Sequence, residues 1–381
     1  MIDLAAKDIK HTFGKFLVTA MGVGMLLGIV LIMIGVYRGM MADAEILLDD
    51  IGADLWIVQE NTMGPFAEAS RVYRDMRETI YVMQGIDKSA AMTFQNIQLP
   101  HAQKPVRVVA VGYDIYGSIN PINEKRLVSG RVLQNEHYEI VVSDTTGFAM
   151  AEVIQLGRNN YTVVGITSDT VSSSGDPLVY LSLKDAQELQ FLYSNKEIQN
   201  ATARGVKNSE SDMVNTIVAT VKAGYEVDEV AKEIRKWQHK NVYSAKEQKE
   251  ILTKNLIEKS AKQIGLFTAI LVVVSSIIIA LIIYTMTLEK MKEIAIMKLM
   301  GLPNTLIVSM IVKETLLLGV FAFIFGNIFS HLTYDKFPKK VVLEIPDAWM
   351  LFGVIIIASI LASFVGVKKV ISADPASAIG G

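Results

Sequence analysis

Apolar residues gather into one early run and three late ones. Phe16 to Tyr37 carries no charge, roughly 225 mostly polar residues follow, and three more apolar runs fill roughly the last 120 positions. The first run holds 22 residues, and at about 1.5 Å each these cross the roughly 30 Å hydrocarbon core of a bilayer. The second, Gln263 to Leu288, is uncharged between Lys262 and Glu289, and the fourth covers Trp349 to Val367. In the third, Lys313 and Glu314 interrupt Thr305 to Leu332, which places this charge pair at the membrane edge; Thr315 to Tyr334 alone gives 20 residues without a charge. The pattern predicts a four-helix transmembrane bundle plus a large extracytoplasmic α+β domain inserted between the first and second transmembrane helices.

The expected segments are an amphipathic N-terminal helix (1–15), a first span (16–37), a stalk and lobe (38–262), a second span (263–288) and a cytoplasmic loop helix (289–304). A third span (305–332), a short outer loop (333–348), a fourth span (349–367) and a cytoplasmic tail (368–381) complete the chain. Inside the lobe, Ala53 to Val58 and Val106 to Tyr113 read as strands, and Ser70 to Gln84 has helical spacing. Tyr138 to Val142, Val153 to Leu156, Tyr161 to Ile166 and Leu178 to Leu181 are short β-type runs, with Gly157 to Asn160 as a hairpin loop. They predict a β-rich subdomain at about 121–182 inserted in the first. A helix near Leu183 to Phe191, a strand near Ile217 to Lys222 and a helix from Val227 to His239 follow.

The joints to the membrane are polar and helix-favouring. Ser244 to Lys262 lacks Gly and Pro and runs straight into the second span, and Arg38 to Asp50 prolongs the first. Two stalks able to carry displacement are expected, the plainer reading being solvated helix ends.

Composition narrows the function classes. Hydrophobic content of 51% beside 20% charged residues suits a chain shared between lipid and water. A net charge of −2, with no basic and aromatic interleaving, excludes nucleic acid as a partner. Cysteine is absent, so neither a disulfide nor a thiolate nucleophile exists. Lys7, Lys10 and Lys15 precede the first span while only Arg38 closely follows it, which favours a cytoplasmic N-terminus. Ala42-Asp43-Ala44 imitates a signal-peptidase site, but the apolar run is too long for a cleaved signal. Ile2, Ala5, Ile9, Phe13 and Phe16 recur at helical steps among Asp3, Lys7, Lys10 and His11, as in a helix lying on the inner membrane face.

Several positions invite a role. Gly24, Gly28, Gly35 and Gly39 fall on one helix face and form a smooth stripe for another helix, either within the chain or across a dimer. In the loop Glu289 to Gly301, residues Ile294, Ala295, Ile296, Met297, Leu299 and Met300 cover all sides of a helix that Gly301 and Pro303 end abruptly. Such a helix docks on a cytoplasmic protein or embeds at the interface. Glu314 can relay protons or select cations, but pairing with a neighbouring Lys is the reading favoured here. Met21, Met25, Met33, Met40 and Met41 read as packing rather than a ligand site. No phosphate-binding Gly-rich loop with its Lys, no His-Glu-x-x-His and no Gly-x-Ser-x-Gly occurs, and His11, His101, His137, His239 and His331 are scattered without ligand spacing. A membrane-embedded enzyme would need clustered polar residues in the spans, which are nearly free of them.

The string Glu293-Ile-Ala-Ile-Met-Lys-Leu-Met-Gly301 after a membrane helix, Glu314 early in the next, and Ser372-Ala-Asp-Pro-Ala-Ser-Ala378 at the end resemble the permeases of the MacB/FtsX superfamily of ABC transporters. Gly52-Ala-Asp-Leu-Trp-Ile-Val58 is similar to the DevC-like and HrtB-like branch. The resemblance covers the whole layout and implies a MacB-like permease fold in the bacterial inner membrane, with both termini cytoplasmic. It implies no cofactor in this chain, ATP and Mg being bound by a cytoplasmic ATPase dimer, and a second permease copy and membrane lipid as further partners. A periplasmic membrane-fusion adaptor is an optional one. By motif match the ATPase-coupling role falls on Glu293, Ile294, Met297, Lys298 and Gly301; Leu302-Pro303 stands where many relatives have Ala-Ser. The implied activity is mechanotransmission driving efflux of a haem, lipid, peptide or drug. The alternatives are lipoprotein extraction and FtsX-like signalling to an external hydrolase.

Overall fold

A computed structural model describes the chain except residues 1–12, 102–104, 193–211, 255–257, 338–339 and 372–381. Most of the expected N-terminal amphipathic helix and the Ser372 to Ala378 ending lie outside the described residues. The molecule divides into two compact units, one of residues 1–39 with 260–381 and one of residues 40–259.

The first unit is built on four helices long and apolar enough to cross a membrane. Helix α1 is Phe13–Ile51, of which the residues beyond Gly39 belong to the other unit. Its core comprises Phe16, Ala20, Val23, Leu27 and Val30 of α1 with Ile279, Ile283, Ile307, Ile311, Leu318, Ala322, Leu351 and Ile355 from the later helices. These positions follow helical spacing, so each helix turns one stripe inward and leaves the rest for lipid.

The lobe is organised by one ten-stranded sheet. Strands β1 (Leu55–Val58), β2 (Val72–Tyr73), β3 (Ile86–Leu99), β4 (Val106–Tyr113), β5 (Leu127–Gly130) and β6 (Glu139–Ser143) come first. A short helix α2 (Met76–Tyr81) lies between β2 and β3. Then follow β7 (Val153–Leu156), β8 (Asn159–Thr167), β9 (Leu178–Ser182), α3 (Leu183–Leu192), β10 (Met213–Val214), β11 (Thr216–Val221), α4 (Val227–Gln238), β12 (Asn241–Ser244) and α5 (Ala245–Leu252). The order across the sheet is β12-β1-β11-β3-β4-β9-β6-β8-β5, with β7 on β8. The strands from 127 to 182 are one end of this sheet, joined by the parallel pairing of β4 with β9.

One sequence reading changes, and one strand was not read. Ser70 to Gln84 is helical only over Met76–Tyr81, because Val72 and Tyr73 pair with Met213 and Val214 in a separate ribbon. Strand β3 mixes Ile86, Thr93, Phe94 and Ile97 with Ala, Gln, Asp and Lys, a composition that does not favour a strand strongly, and it is extended because β11 and β4 flank it on both edges.

Both chain segments that enter the lobe from the bundle side in sequence are fastened inside it. Leu47, Leu48 and Ile51 of α1 are buried with Trp56, Val218 and Leu252. Lys249 of α5 reaches Asp49 at 2.7 Å and Glu45 at 3.3 Å, and Arg126 holds Asp50 at 3.0 Å. Helix α5 starts on a capping box, Ser244 accepting from the Glu247 amide and Glu247 from the Ser244 amide. Its continuity with the next helix, α6 (Glu258–Glu289), runs through residues 255–257, which are not described.

At the far end of the sheet, Arg131 holds the buried Glu139 at 2.6 and 3.0 Å. The guanidinium, helped by the Gln134 and Asn135 amides, brings the Glu139 carboxyl down from near 4.5 to about 2. A depressed carboxylate contributes stability that is complete above its ordinary value and lost as pH falls towards the lowered one. Relative to Glu139→Gln, the natural chain is therefore expected to protect the Ile140–Val142 amides better at pH 6. Hydrogen exchange should show that advantage shrinking between pH 4.5 and about 2, and a pH-independent gap would refute the assignment.

Candidate functional site

The loop helix α7 (Met291–Leu299) follows α6 after a single non-helical residue, Lys290. The Leu302 amide donates to the Met297 carbonyl at 3.1 Å and the Gly301 amide to Lys298 at 3.0 Å. With Gly301 at φ +84°, this is a Schellman ending, which needs a residue without Cβ strain at that point. Helix α8 (Asn304–Thr333) begins directly after Pro303.

The nine residues of α7 divide sharply. Ile294, 3% exposed, belongs to the bundle core, Met297 packs against that core, and Ala295 is buried at 4%. Ile296, Leu299 and Met300 are 50%, 65% and 67% exposed, and Glu293 and Gly301 are also on the outside. Lys298 is half-buried. Of the five positions matched by motif, Ile294 and Met297 therefore anchor the helix. The outward apolar surface belongs to Ile296, Leu299 and Met300, which helical spacing from the buried pair would have separated.

Glu314 sits within α8 at 8% exposure, and Lys290 Nζ donates to it at 3.0 Å, both side chains being one-tenth exposed. Lys313 is turned to the outside. The lysine that Glu314 meets is the residue that precedes α7, Lys313 being turned away because successive residues of a helix point about 100° apart. Glu289, next to Lys290 in the chain, meets Lys15 at 3.1 Å, but both are exposed, where such a pair adds little.

Glycines of α1 set the bundle spacing. A Cβ on Gly24 would stand 2.7 Å from the Ala322 carbonyl and 2.8 Å from Phe325 Cβ; on Gly28 it would stand 2.8 Å from the Gly326 carbonyl. On Gly326 it would meet the Gly24 carbonyl at 2.7 Å. The upper half of the stripe faces another segment, since Gly35 and Gly39 lie against residues 340–343 and the Val342 amide donates to the Gly35 carbonyl at 3.0 Å. All four glycines are therefore packed within the chain.

Sequence reasoning missed one cluster. Arg38 binds Asp347 through Nε and, at 2.7 Å, through Nη2, and binds Glu344 through Nη1 at 2.9 Å. Both carboxylates stand at the start of helix α9 (Ile345–Ile371). The signal was available, one charge just after the first span and two just before the fourth. Among the described residues no group of three or more His, Asp or Glu is placed to hold a metal ion. His137 Nδ1 faces Asp185 at 2.8 Å, a carboxyl pushed up by burial.

Residues 16–237 match the MacB-like periplasmic core domain and residues 265–375 the FtsX-like permease C-terminal domain. Over their full lengths the chain is 21% identical to an uncharacterised ABC transporter permease of Mycobacterium tuberculosis across 381 residues. It is 23% identical to the putative hemin transport system permease protein HrtB of Staphylococcus haemolyticus across 390 residues, covering 100% of this chain and 99% of that one. Among solved structures, the periplasmic region of MacB from Actinobacillus actinomycetemcomitans aligns with a TM-score of 0.35 at 12% identity, over 54% of this chain and 96% of that one. The extracellular domain of the transporter YknZ from Gram-positive bacteria gives 0.33 at 8%, over 50% and 98%. The two family matches and the four apolar helices define a membrane protein with a large extracellular domain between its first two spans, the permease component of an ABC transporter. The chain belongs to the MacB/FtsX superfamily of ABC transporter permeases.

Removing one member of a buried ion pair strands the other charge at a cost of about 3–5 kcal/mol, whereas replacing both by apolar groups is close to neutral. Glu314→Leu is expected to lower the thermal midpoint of the purified chain substantially, and Lys290→Met with Glu314→Leu to recover most of the loss. Equal midpoints for the single variant and the natural chain in a detergent melting series would show the pair to be idle.

Proposed function

We propose that the chain is the transmembrane subunit of an ABC-type exporter that converts ATP hydrolysis by a separate cytoplasmic ATPase dimer into movement of its outer lobe. Two permease copies pair with that dimer, both termini are cytoplasmic, and ATP and Mg are held by the ATPase. Helix α7 is the docking element. The observation that carries this reading is its two-sidedness, with Ile294 in the bundle core and Ala295 buried, while Ile296, Leu299 and the C-cap residue Met300 are exposed. A helix held rigidly by its inner face presents its outer face at a fixed angle, and an ATPase groove would cover that face.

The outward path is supported by the uninterrupted helix α1, Phe13–Ile51. Within the lobe its end is bound through Glu45, Asp49 and Asp50 to Lys249 and Arg126. A displaced α1 would drag the sheet rather than slide past it. Efflux of a hydrophobic or amphipathic substrate taken from the membrane is the activity that fits. The hemin transport system named for the staphylococcal relative accords with that class. A periplasmic adaptor would extend the path where one is present.

Leu299→Asp with Met300→Asp changes only exposed side chains, so the permease should fold and reach the membrane normally. Co-purified ATPase should fall by about tenfold, as expected for removing a docking anchor, and substrate-stimulated ATP hydrolysis should disappear. Undiminished co-purification would remove α7 from the interface. Glu293→Ala is expected to weaken stimulation while leaving assembly nearly intact.

A further inference from the structure

A cavity of about 300 Å³ opens among α1, α8 and α9, lined by Leu31, Phe323, Leu343, Ala348 and Trp349 with Asn327, Ser330, His331, Glu344 and Asp347 among its walls. Ligand sites commonly combine an apolar body with a few convergent polar groups. The lobe's own cavity, about 260 Å³, is different, because its charges close on one another as Arg74 with Asp212 and Arg77 with Asp114.

The polar wall is selective in kind. All three nitrogens of Arg38 are engaged by Asp347 and Glu344, so an anionic headgroup would have to approach the guanidinium past two carboxylates. Two carboxylates against one guanidinium leave this wall with a charge of −1, by adding the Arg38, Asp347 and Glu344 charges. His331 Nδ1 lies 2.9 Å from the Asn327 carbonyl. In the neutral ring that nitrogen carries the hydrogen and Nε2 remains an acceptor. Ser330 Oγ donates to the same carbonyl at 2.8 Å. The charged capacity is therefore acceptor, in the lone pairs of Glu344 that Arg38 leaves, with His331 Nε2 a further acceptor and the Asn327 amide able to accept or donate. Phe323 and Trp349, both set at angles on Phe352, supply aromatic faces that attract a cation.

From this we infer that the cavity is a lateral binding site for a hydrophobic amine, a protonated N–H ammonium on an apolar body, entering from the bilayer. The ammonium takes the Glu344 and Asn327 acceptors while the body fills the space beside Leu31, Phe323 and Trp349. A role as cargo rests on the exporter reading above, but binding itself does not, and it is measured on the permease without ATPase.

The test uses the full chain in lipid nanodiscs with a diazirine-bearing dodecylamine, photolysed and mapped by mass spectrometry. Labelling should concentrate in peptides covering 323–349 and be competed by dodecyldimethylamine, not by dodecyl sulfate or dodecanol. Glu344→Gln leaves Arg38 held by Asp347 and should weaken competition about tenfold, the scale of one lost charge-assisted hydrogen bond. Asn327→Leu should weaken it less, and Ala348→Leu should abolish it by filling the cavity; unchanged thermal midpoints would confirm that each variant folds. Labelling spread equally over the lipid-facing residues Leu266 to Leu281, or equal competition by dodecyl sulfate, would overturn the proposal. Either failure leaves the α7 docking experiment untouched, and failure of docking leaves amine binding intact.

Discussion

Backbone contact between α1 and α8 through Gly24, Gly28 and Gly326 is the constraint on which the bundle depends. In lipid there is no hydrophobic gain in bringing helices together, so close approach and the dispersion contact it permits must supply the driving force. Once α8 is fixed against α1, its two ends acquire defined surroundings. At one end Glu314 meets Lys290, which places α7; at the other Asn327, Ser330 and His331 face Leu31 and the start of α9. A Cβ at Gly28 would separate the helices and disturb both ends together.

The two ends handle charge differently. Lys290 and Glu314 are almost wholly buried, so the pair costs desolvation that its attraction must offset, and its value lies in specifying position. Arg38 is about one-third exposed and shared between two carboxylates, an arrangement that tolerates adjustment. A firm clasp thus stands beside α7 and a looser one beside the cavity.

What the sequence displayed followed from how local each signal was. The four apolar runs, the short strands bounded by Gly and Asn, and the stop at Gly301 each arise from neighbouring residues and were visible. Strand β3 was not, because its composition is neutral and its extension comes from β4 and β11 on either edge. The partner of Glu314 was hidden for the same reason, since Lys313 is adjacent in the chain but points elsewhere around the helix. The glycine stripe was legible as a smooth face, while its partner within the chain required α8 to be seen. Ile294 and Met297 matched a motif that mixes inward and outward residues, and only burial separates the two.

The same distinction bears on how force would travel. An element transmits displacement only where both its ends are held more tightly than its middle bends. Helix α1 meets this at Gly24 and Gly28 within the bundle and at Leu47, Leu48, Asp49 and Asp50 within the lobe. Its intervening residues contain no proline, so no turn loses its hydrogen bond. Gly35 and Gly39 are the flexible positions on that path, and each is packed against residues 340–343. The segment that leads into α9 therefore braces the helix where bending would be easiest, and the Arg38 cluster fastens that brace. A ligand drawing on Glu344 would compete for part of this fastening, which would link occupancy of the cavity to how firmly α1 is braced.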